Sequence, residues 1–238
     1  MINTINGIIL FEGISPIDNK SPIVCIATGF KKRSANPKTG DMIQVWILRQ
    51  DMHPSQAIDS GDDQAICGNC PHRKYDGKRS CYVNPMGPAS VYRAYLAGNY
   101  VKFSPKKHLR YFAGRSVRWG AYGDPVCIPY ETIETVNSVA YNHTGYTHQW
   151  RDDRFSCYRD FFMASCDNLG DYLNATDQGW STFRVLRSAE ENVRGSEVTC
   201  QGGIKTQCAI CSLCDGAKDR VKSVTVKAHG NGAKYLEV

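Results

Sequence analysis

The chain reads as an α/β protein built on a partial parallel barrel of about six strands, carrying cysteine-rich metal-binding loops. Two observations carry the fold. From about residue 115 onward, short apolar runs alternate with helical stretches, the rhythm of βαβ units around a mainly parallel sheet. Counting the run Met42 to Leu48, six core strands can be drawn, short of the eight of a full barrel of ~250 residues. A third observation, two tight groups of cysteines lying outside those strands, places the metal-binding loops. An open doubly wound sheet is the alternative arrangement.

Residues 1–41 read as an N-terminal extension of short strands and turns: Ile8 to Phe11, Ile23 to Ala27, then the turn-rich Ser34 to Gly40. Residues 42–238 form the α/β domain, with its cysteine clusters at 67–81 and 200–214. In Met42 to Leu48 only Gln44 is polar, so that strand is covered on both faces. Residues 51–87 lack periodicity, are rich in Gly, Pro, Asp and Cys, and read as a long functional loop. A helix follows over Pro88 to Leu96, with Pro near its start and Gly98-Asn99 at its end. Ser116 to Trp119 is a short strand. Pro129 opens a helix whose Ile133, Val136, Val139 and Ala140 share a face, and Gly145 breaks it. Strands are expected at Tyr146 to Trp150, Phe161 to Ser165, Thr182 to Leu186 and Val221 to Ala228, with a short helix over Tyr172 to Gln178.

Composition excludes several classes. In 238 residues, 42% are hydrophobic and 22% charged, ordinary for a chain that buries a core. No apolar run reaches the ~18 residues of a membrane span, so no membrane association is expected. Met1 to Leu10 lacks a basic lead-in, so a signal peptide is not expected, which makes the expected compartment the cytoplasm. The net charge of +6 is spread along the chain, apart from Lys31-Lys32-Arg33 and Lys106-Lys107. There is no phosphate loop, no Gly-x-Gly-x-x-Gly after a strand and no His-Glu-x-x-His. Sequons at Asn142 and Asn174 carry no meaning in a cytoplasmic protein.

Eleven cysteines are many for such a chain, and a reducing compartment argues for metal rather than disulfides. Cys200, Cys208, Cys211 and Cys214 form Cys-x7-Cys-x2-Cys-x2-Cys. Two-residue spacers let successive thiolates turn towards one ion or cluster, and four thiolates complete a tetrahedral zinc site or a four-iron cube. The tandem spacing favours iron–sulfur, since zinc sites more often use two separated pairs. The second group is Cys67, Cys70 and Cys81, with His72 alongside. Zinc would take His72 as a fourth ligand; a 4Fe-4S cluster on three cysteines would leave one iron open. Both groups sharing one site remains open at this level. Cys25, Cys127, Cys157 and Cys166 stand alone and read as small buried hydrophobes.

Polar residues at the carboxyl ends of strands form the next group, because ligands bind outside those ends in α/β sheets and barrels. Asp124 and His148 are candidates for acid–base work and Arg184 for holding a carboxylate or phosphate. Arg118, Tyr122, Gln149 and His229 are candidate cofactor-binding residues, and Asp167, Asn168 and Arg187 stand at similar positions.

The stretches Ile66-Cys67-Gly68-Asn69-Cys70-Pro71-His72-Arg73, Cys81-Tyr82-Val83 and Gly120 to Pro125 resemble a family of phage and prophage proteins of the "gene product 88-like" kind. So do Gly145 to Trp150, Met163-Ala164-Ser165, Thr182 to Val185, Cys208 to Gly216 and Ala228-His229-Gly230, so the likeness covers about residues 40–230. That family in turn resembles a trimmed form of radical S-adenosylmethionine enzymes. The resemblance implies a six-stranded partial barrel, a catalytic cluster at Cys67 to Cys81 and S-adenosylmethionine as a second cofactor. Where that superfamily has Cys-x3-Cys-x2-Cys, this chain has Cys-x2-Cys-x10-Cys.

The expected function is a phage-encoded iron–sulfur protein in the bacterial host cytoplasm, with radical or redox chemistry on an unknown substrate. The second reading is a zinc-stabilised nucleic-acid-binding module, with Tyr92-Arg93, Arg110-Tyr111 and Arg118-Trp119 stacking bases and meeting phosphates. A third makes the clusters architectural in a protein that binds a host factor.

Overall fold

The β-branched and aliphatic runs near the N-terminus build the first sheet. The computed structural model describes residues 5–34, 36–187, 190–216, 223–229 and 232–236. Its first strands are β1 (Gly7–Ile14), β2 (Pro22–Thr28) and β3 (Met42–Arg49), paired antiparallel in that order. Helices α1 (Pro54–Ser60) and α2 (Gln64–Cys67) follow, then a hairpin of β4 (Lys74–Tyr75) and β5 (Lys78–Arg79), then α3 (Met86–Leu96). Pro88 fits α3 because a first-turn residue has no helical partner for the N–H it lacks. Next come β6 (Val101–Lys102), α4 (Pro105–His108), β7 (Ser116–Tyr122), α5 (Tyr130–Asn137) and β8 (Asn142–Thr144). The first sheet runs β6-β1-β2-β3-β7-β8, with β3, β7 and β8 mutually parallel.

The second sheet is all parallel. It contains β9 (Tyr146–Thr147), β10 (Met163–Cys166), β11 (Thr182–Leu186), β12 (Glu197–Thr199) and β13 (Ser223–Lys227), in the order β12-β13-β11-β10-β9. Helix α6 (Leu169–Asp177) links β10 to β11, its first turn capped by the Asn168 side chain, which accepts the Asp171 N–H at 2.9 Å. The one-turn helix α7 (Cys208–Cys211) lies between β12 and β13. Val221 and Lys222, expected to start the last strand, and Gly230 lie outside the described residues.

This architecture corrects the expected partial parallel TIM-like barrel. The molecule has one mixed sheet and one parallel sheet, and among the described residues neither closes on itself. Two physical causes account for the difference. The expected N-terminal extension supplies β1 and β2, which pair antiparallel onto β3 and extend the first sheet there. On the other side, β8 and β9 are separated by Gly145 alone, which is too short for the dozen-residue crossover that parallel neighbours need. The chain therefore passes from one sheet directly into the other. Strict alternation along β7 then divides the space: Val117, Trp119 and Ala121 are buried on one face, while Arg118, Gly120 and Tyr122 face a cavity. The main apolar core joins the buried residues of β1–β3 and β7 to α3 and α5, with Trp119, Trp150 and Trp180 among its largest members. No helix among the described residues is long and apolar enough to cross a membrane.

Candidate metal centre

A cavity of about 390 Å³ opens against the inner faces of both sheets, and all seven clustered cysteines line it. All eleven cysteines of the chain are free thiols. The two groups reach the cavity from different ends of the strands.

Cys67 is the last residue of α2, and Asp124, just past the carboxyl end of β7, donates its backbone N–H to the Ile66 carbonyl at 2.6 Å. Gly68 turns the chain with φ +56°, and a Cβ there would fall 2.3 Å from the Gln149 amide. Gln149 donates to the Cys67 carbonyl at 3.2 Å. The hairpin explains the ten-residue gap: Asp76 and Gly77 both have positive φ, as a type I′ turn requires, and return the chain so that the Cys81 N–H meets the His72 carbonyl at 2.9 Å. Arg73 holds this loop from inside. Its guanidinium donates to Asp63 at 2.8 Å and to the carbonyls of Gly61 and Gly68. The Arg73 and Asp63 side chains are only 8% and 4% exposed.

The second group is held by backbone. Cys200 follows β12 and bonds the Thr225 carbonyl through its N–H at 2.8 Å, while its sulfur accepts the Gly202 N–H at 3.4 Å. Helix α7 sits at the amino ends of β7 and β8: Ser116 Oγ donates to the Ala209 carbonyl at 2.7 Å and Asn142 Nδ2 to the Cys208 carbonyl at 3.1 Å. The N–H groups of Cys208 and Ala209 bond the carbonyls of Lys38 and Thr39, both at 3.0 Å. Ser212 adopts φ +54°, which turns the chain so that Cys214 reaches Gly145.

Three features bear on what the two donor sets could hold. Burial pushes the thiols of Cys67, Cys81, Cys208 and Cys214 above the ordinary range, so ionising them needs cationic charge of the kind a metal supplies. Each set also faces a fixed cation that opposes burial, Arg79 beside Cys81, and Arg118 and Lys38 beside Cys208. Among the described residues no three cysteine sulfurs lie within 4.8 Å of one another. A mononuclear zinc tetrahedron with bonds of ~2.3 Å would put them about 3.8 Å apart. A four-iron cube holds its thiolates further apart, at separate corners.

The other sequence candidates separate. Tyr122, Asp124, His148, Arg118 and His229 all line the cavity. Asp124 is fully engaged there, accepting from Thr147 Oγ1 at 3.0 Å, the His148 N–H at 2.9 Å and the Val126 N–H at 3.2 Å, so it braces the wall. Tyr122 has a buried hydroxyl with no hydrogen-bond partner. Arg118 donates to the Tyr82 hydroxyl at 2.6 Å, and the His229 ring stacks over Tyr82. Gln149 lies behind the wall, bonded to Cys67 and Asp124. Arg184 is directed away: Phe183 and Val185 of β11 line the cavity, while Arg184 forms a buried ion pair with Glu197, at 2% and 0% exposure.

Of the isolated cysteines, Cys25, Cys127 and Cys166 are buried as expected, and Cys157 is exposed. Two of the three aromatics proposed to stack bases are interior: Tyr92 and Trp119 are buried, and Trp119 Nε1 donates to Asn137 at 3.1 Å. Sequence reasoning missed the Asp63–Arg73 pair, Arg79 and Tyr146. A charged residue such as Arg73 beside a Cys-x2-Cys turn is a weak local signal, but its partner ten residues earlier has none. No family model, curated protein or solved structure matches the chain. Fold and site together define an α/β protein of two sheets enclosing a cysteine-lined cavity.

Proposed function

We propose that the chain is an iron–sulfur protein holding two 4Fe-4S clusters on the wall of one substrate cavity. Cys200, Cys208, Cys211 and Cys214 ligate a closed cluster, since four thiolates satisfy four irons. Cys67, Cys70 and Cys81 ligate an open one, whose fourth iron is free to meet a ligand in the cavity. The observation that carries this reading is the convergence of all seven thiols, from segments more than a hundred residues apart, on one cavity. At about 390 Å³ the cavity is within the range of small-molecule sites. Lys38, Arg79 and Arg118 on its wall favour an anionic or polar occupant. The resemblance to radical S-adenosylmethionine enzymes makes that nucleoside the first occupant to test, and redox or radical chemistry the class of reaction.

Protein purified without oxygen will be brown, absorb near ~400 nm and contain about eight iron and eight sulfide per chain. A colourless preparation with stoichiometric zinc overturns the proposal. S-adenosylmethionine added to the reduced protein will perturb the EPR spectrum of the open cluster; an unchanged spectrum removes that occupant and leaves the clusters standing.

A further inference from the structure

Beside the Cys67 loop, three side chains from distant segments converge on one point. His72 follows the Cys70-Pro71 turn, His148 follows β9, and Asp167 follows β10. Their ligand atoms all lie within 4.8 Å of one another, the only such group of three His, Cys, Asp or Glu among the described residues. His72 Nε2 is 2.9 Å from Asp167 Oδ1, and His148 Nε2 is 3.4 Å from Asp167 Oδ2. The three side chains are 14%, 13% and 19% exposed.

Asp167 presents one oxygen to each imidazole, so the three side chains are held around a single point. His72 Nε2 is buried and sits 2.9 Å from Asp167 Oδ1. The other His72 nitrogen is already engaged, 2.9 Å from Ser80 Oγ. A partner on the far ring nitrogen fixes the orientation of a metal-binding imidazole. His148 is positioned through its backbone N–H, held by Asp124 at 2.9 Å.

The donor spacing suits a shared ion. Bonds of ~2.1 Å place adjacent donors about 3.0 Å apart around an octahedral ion and about 3.4 Å apart around a tetrahedral one. The observed 2.9 Å to Oδ1 and 3.4 Å to Oδ2 bring both imidazoles within reach of one ion held by Asp167. Two imidazoles and a carboxylate suit zinc or ferrous iron. His72 and His148 line the cavity, so coordination positions not filled by protein would face its contents.

We infer that His72, His148 and Asp167 bind one divalent transition-metal ion, presented to the same cavity beside Cys70. None of its three ligands is a thiolate, although His148 contacts Cys70, so the site goes beyond the cluster assignment.

The test is a Co²⁺ titration of anaerobically purified full-length protein, cleared of loosely held metal, with acid-labile sulfide measured alongside. One Co²⁺ per chain is expected, with ligand-field absorption and no thiolate-to-cobalt charge transfer. Asp167→Asn and His148→Ala should each weaken Co²⁺ binding more than about 100-fold, and Ser80→Ala, which removes only the partner of His72 Nδ1, about tenfold. Sulfide per chain should be unchanged in all three. Cys81→Ser should do the reverse, losing sulfide and keeping Co²⁺. Affinity unaffected by Asp167→Asn, or a charge-transfer band that disappears in Cys70→Ser, overturns the inference. Retained Co²⁺ binding in a preparation with no sulfide would sink the cluster reading while leaving this site intact. Because Ser80→Ala removes only a partially buried hydroxyl, it decides the matter even if the ligand variants fold poorly.

Discussion

The two cysteine groups use the same donor atom but are gathered in opposite ways. The Cys67 group stands on a loop whose interior is an ion pair: Asp63 holds Arg73, and Arg73 holds the carbonyls of Gly61 and Gly68. The Cys200 group stands on main-chain contacts from a helix of four residues, α7, to Lys38, Thr39, Ser116 and Asn142. Neither α7 nor the equally short α2 has stability of its own, so the buried ion pair is what sets the Cys67 loop apart. On the proposed cluster assignment the second group depends more on its metal, because the first keeps the Asp63–Arg73 pair inside its loop. That is the division expected between an open site that must hold its shape through changes of ligand and a closed one whose ligation contributes folding free energy.

The largest expected effect follows from that dependence. Cys208→Ser removes one of four thiolates, and structural metal binding is worth on the order of 10 kcal/mol, so residues 200–216 should unfold locally. Hydrogen exchange and limited proteolysis will show protection lost there. Cys70→Ser should lose its cluster while residues 61–81 keep theirs. Equal loss of protection in both variants breaks the comparison.

Next in size is Asp63→Asn. It leaves Arg73 buried without a counter-charge, and removing one partner of a buried ion pair costs about 3 kcal/mol or more. Denaturant unfolding measures it. Iron and sulfide at the Cys200 group should be unaffected, as counted in a Cys70→Ser background. Gly68→Ala comes third. Its Cβ would meet the Gln149 amide, and φ of +56° is unfavourable for alanine, a combined cost of about 1–3 kcal/mol. Because the strain sits one residue from Cys67, iron at the open cluster should fall while the closed cluster stays full.

The legible part of this molecule was local. Met42 to Leu48 and Thr182 to Leu186 announce themselves by β-branched runs, the helix near Pro88 by its boundary residues, and both cysteine groups by spacing. Sheet order was not legible. Nothing in Ile8 to Phe11 or Ile23 to Ala27 tells whether they pair with β3 or stand apart, and antiparallel pairing there removed the expected barrel. Arg184 shows the same limit from the other side. A strand-end arginine is locally indistinguishable from an anion-binding one, and only the distant Glu197 reveals that its charge is already used. Asp167 is the converse, an unremarkable strand-end carboxylate until residues 72 and 148 are placed beside it.

The smallest expected effect belongs to one of two tyrosines on the cavity wall. Tyr146, near the closed group, has its hydroxyl on the Cys214 sulfur. Tyr122, near the open group, is more deeply buried and has no partner for its hydroxyl. Removing a hydrogen bond to an ionised sulfur costs about 1.5–3 kcal/mol, so Tyr146→Phe should lower stability by that amount and shift the spectrum of the closed cluster. Tyr122→Phe removes a group that pays its desolvation with nothing in return, so stability should stay level or rise by up to about 1 kcal/mol. Its cost should appear elsewhere, in weaker binding of whatever enters the cavity and offers that hydroxyl a partner. Thermal unfolding of the two variants side by side reads the sign directly. A destabilised Tyr122→Phe would mean that its hydroxyl is already satisfied, and the open end of the cavity would then lack the unpaired donor that distinguishes it from the closed end.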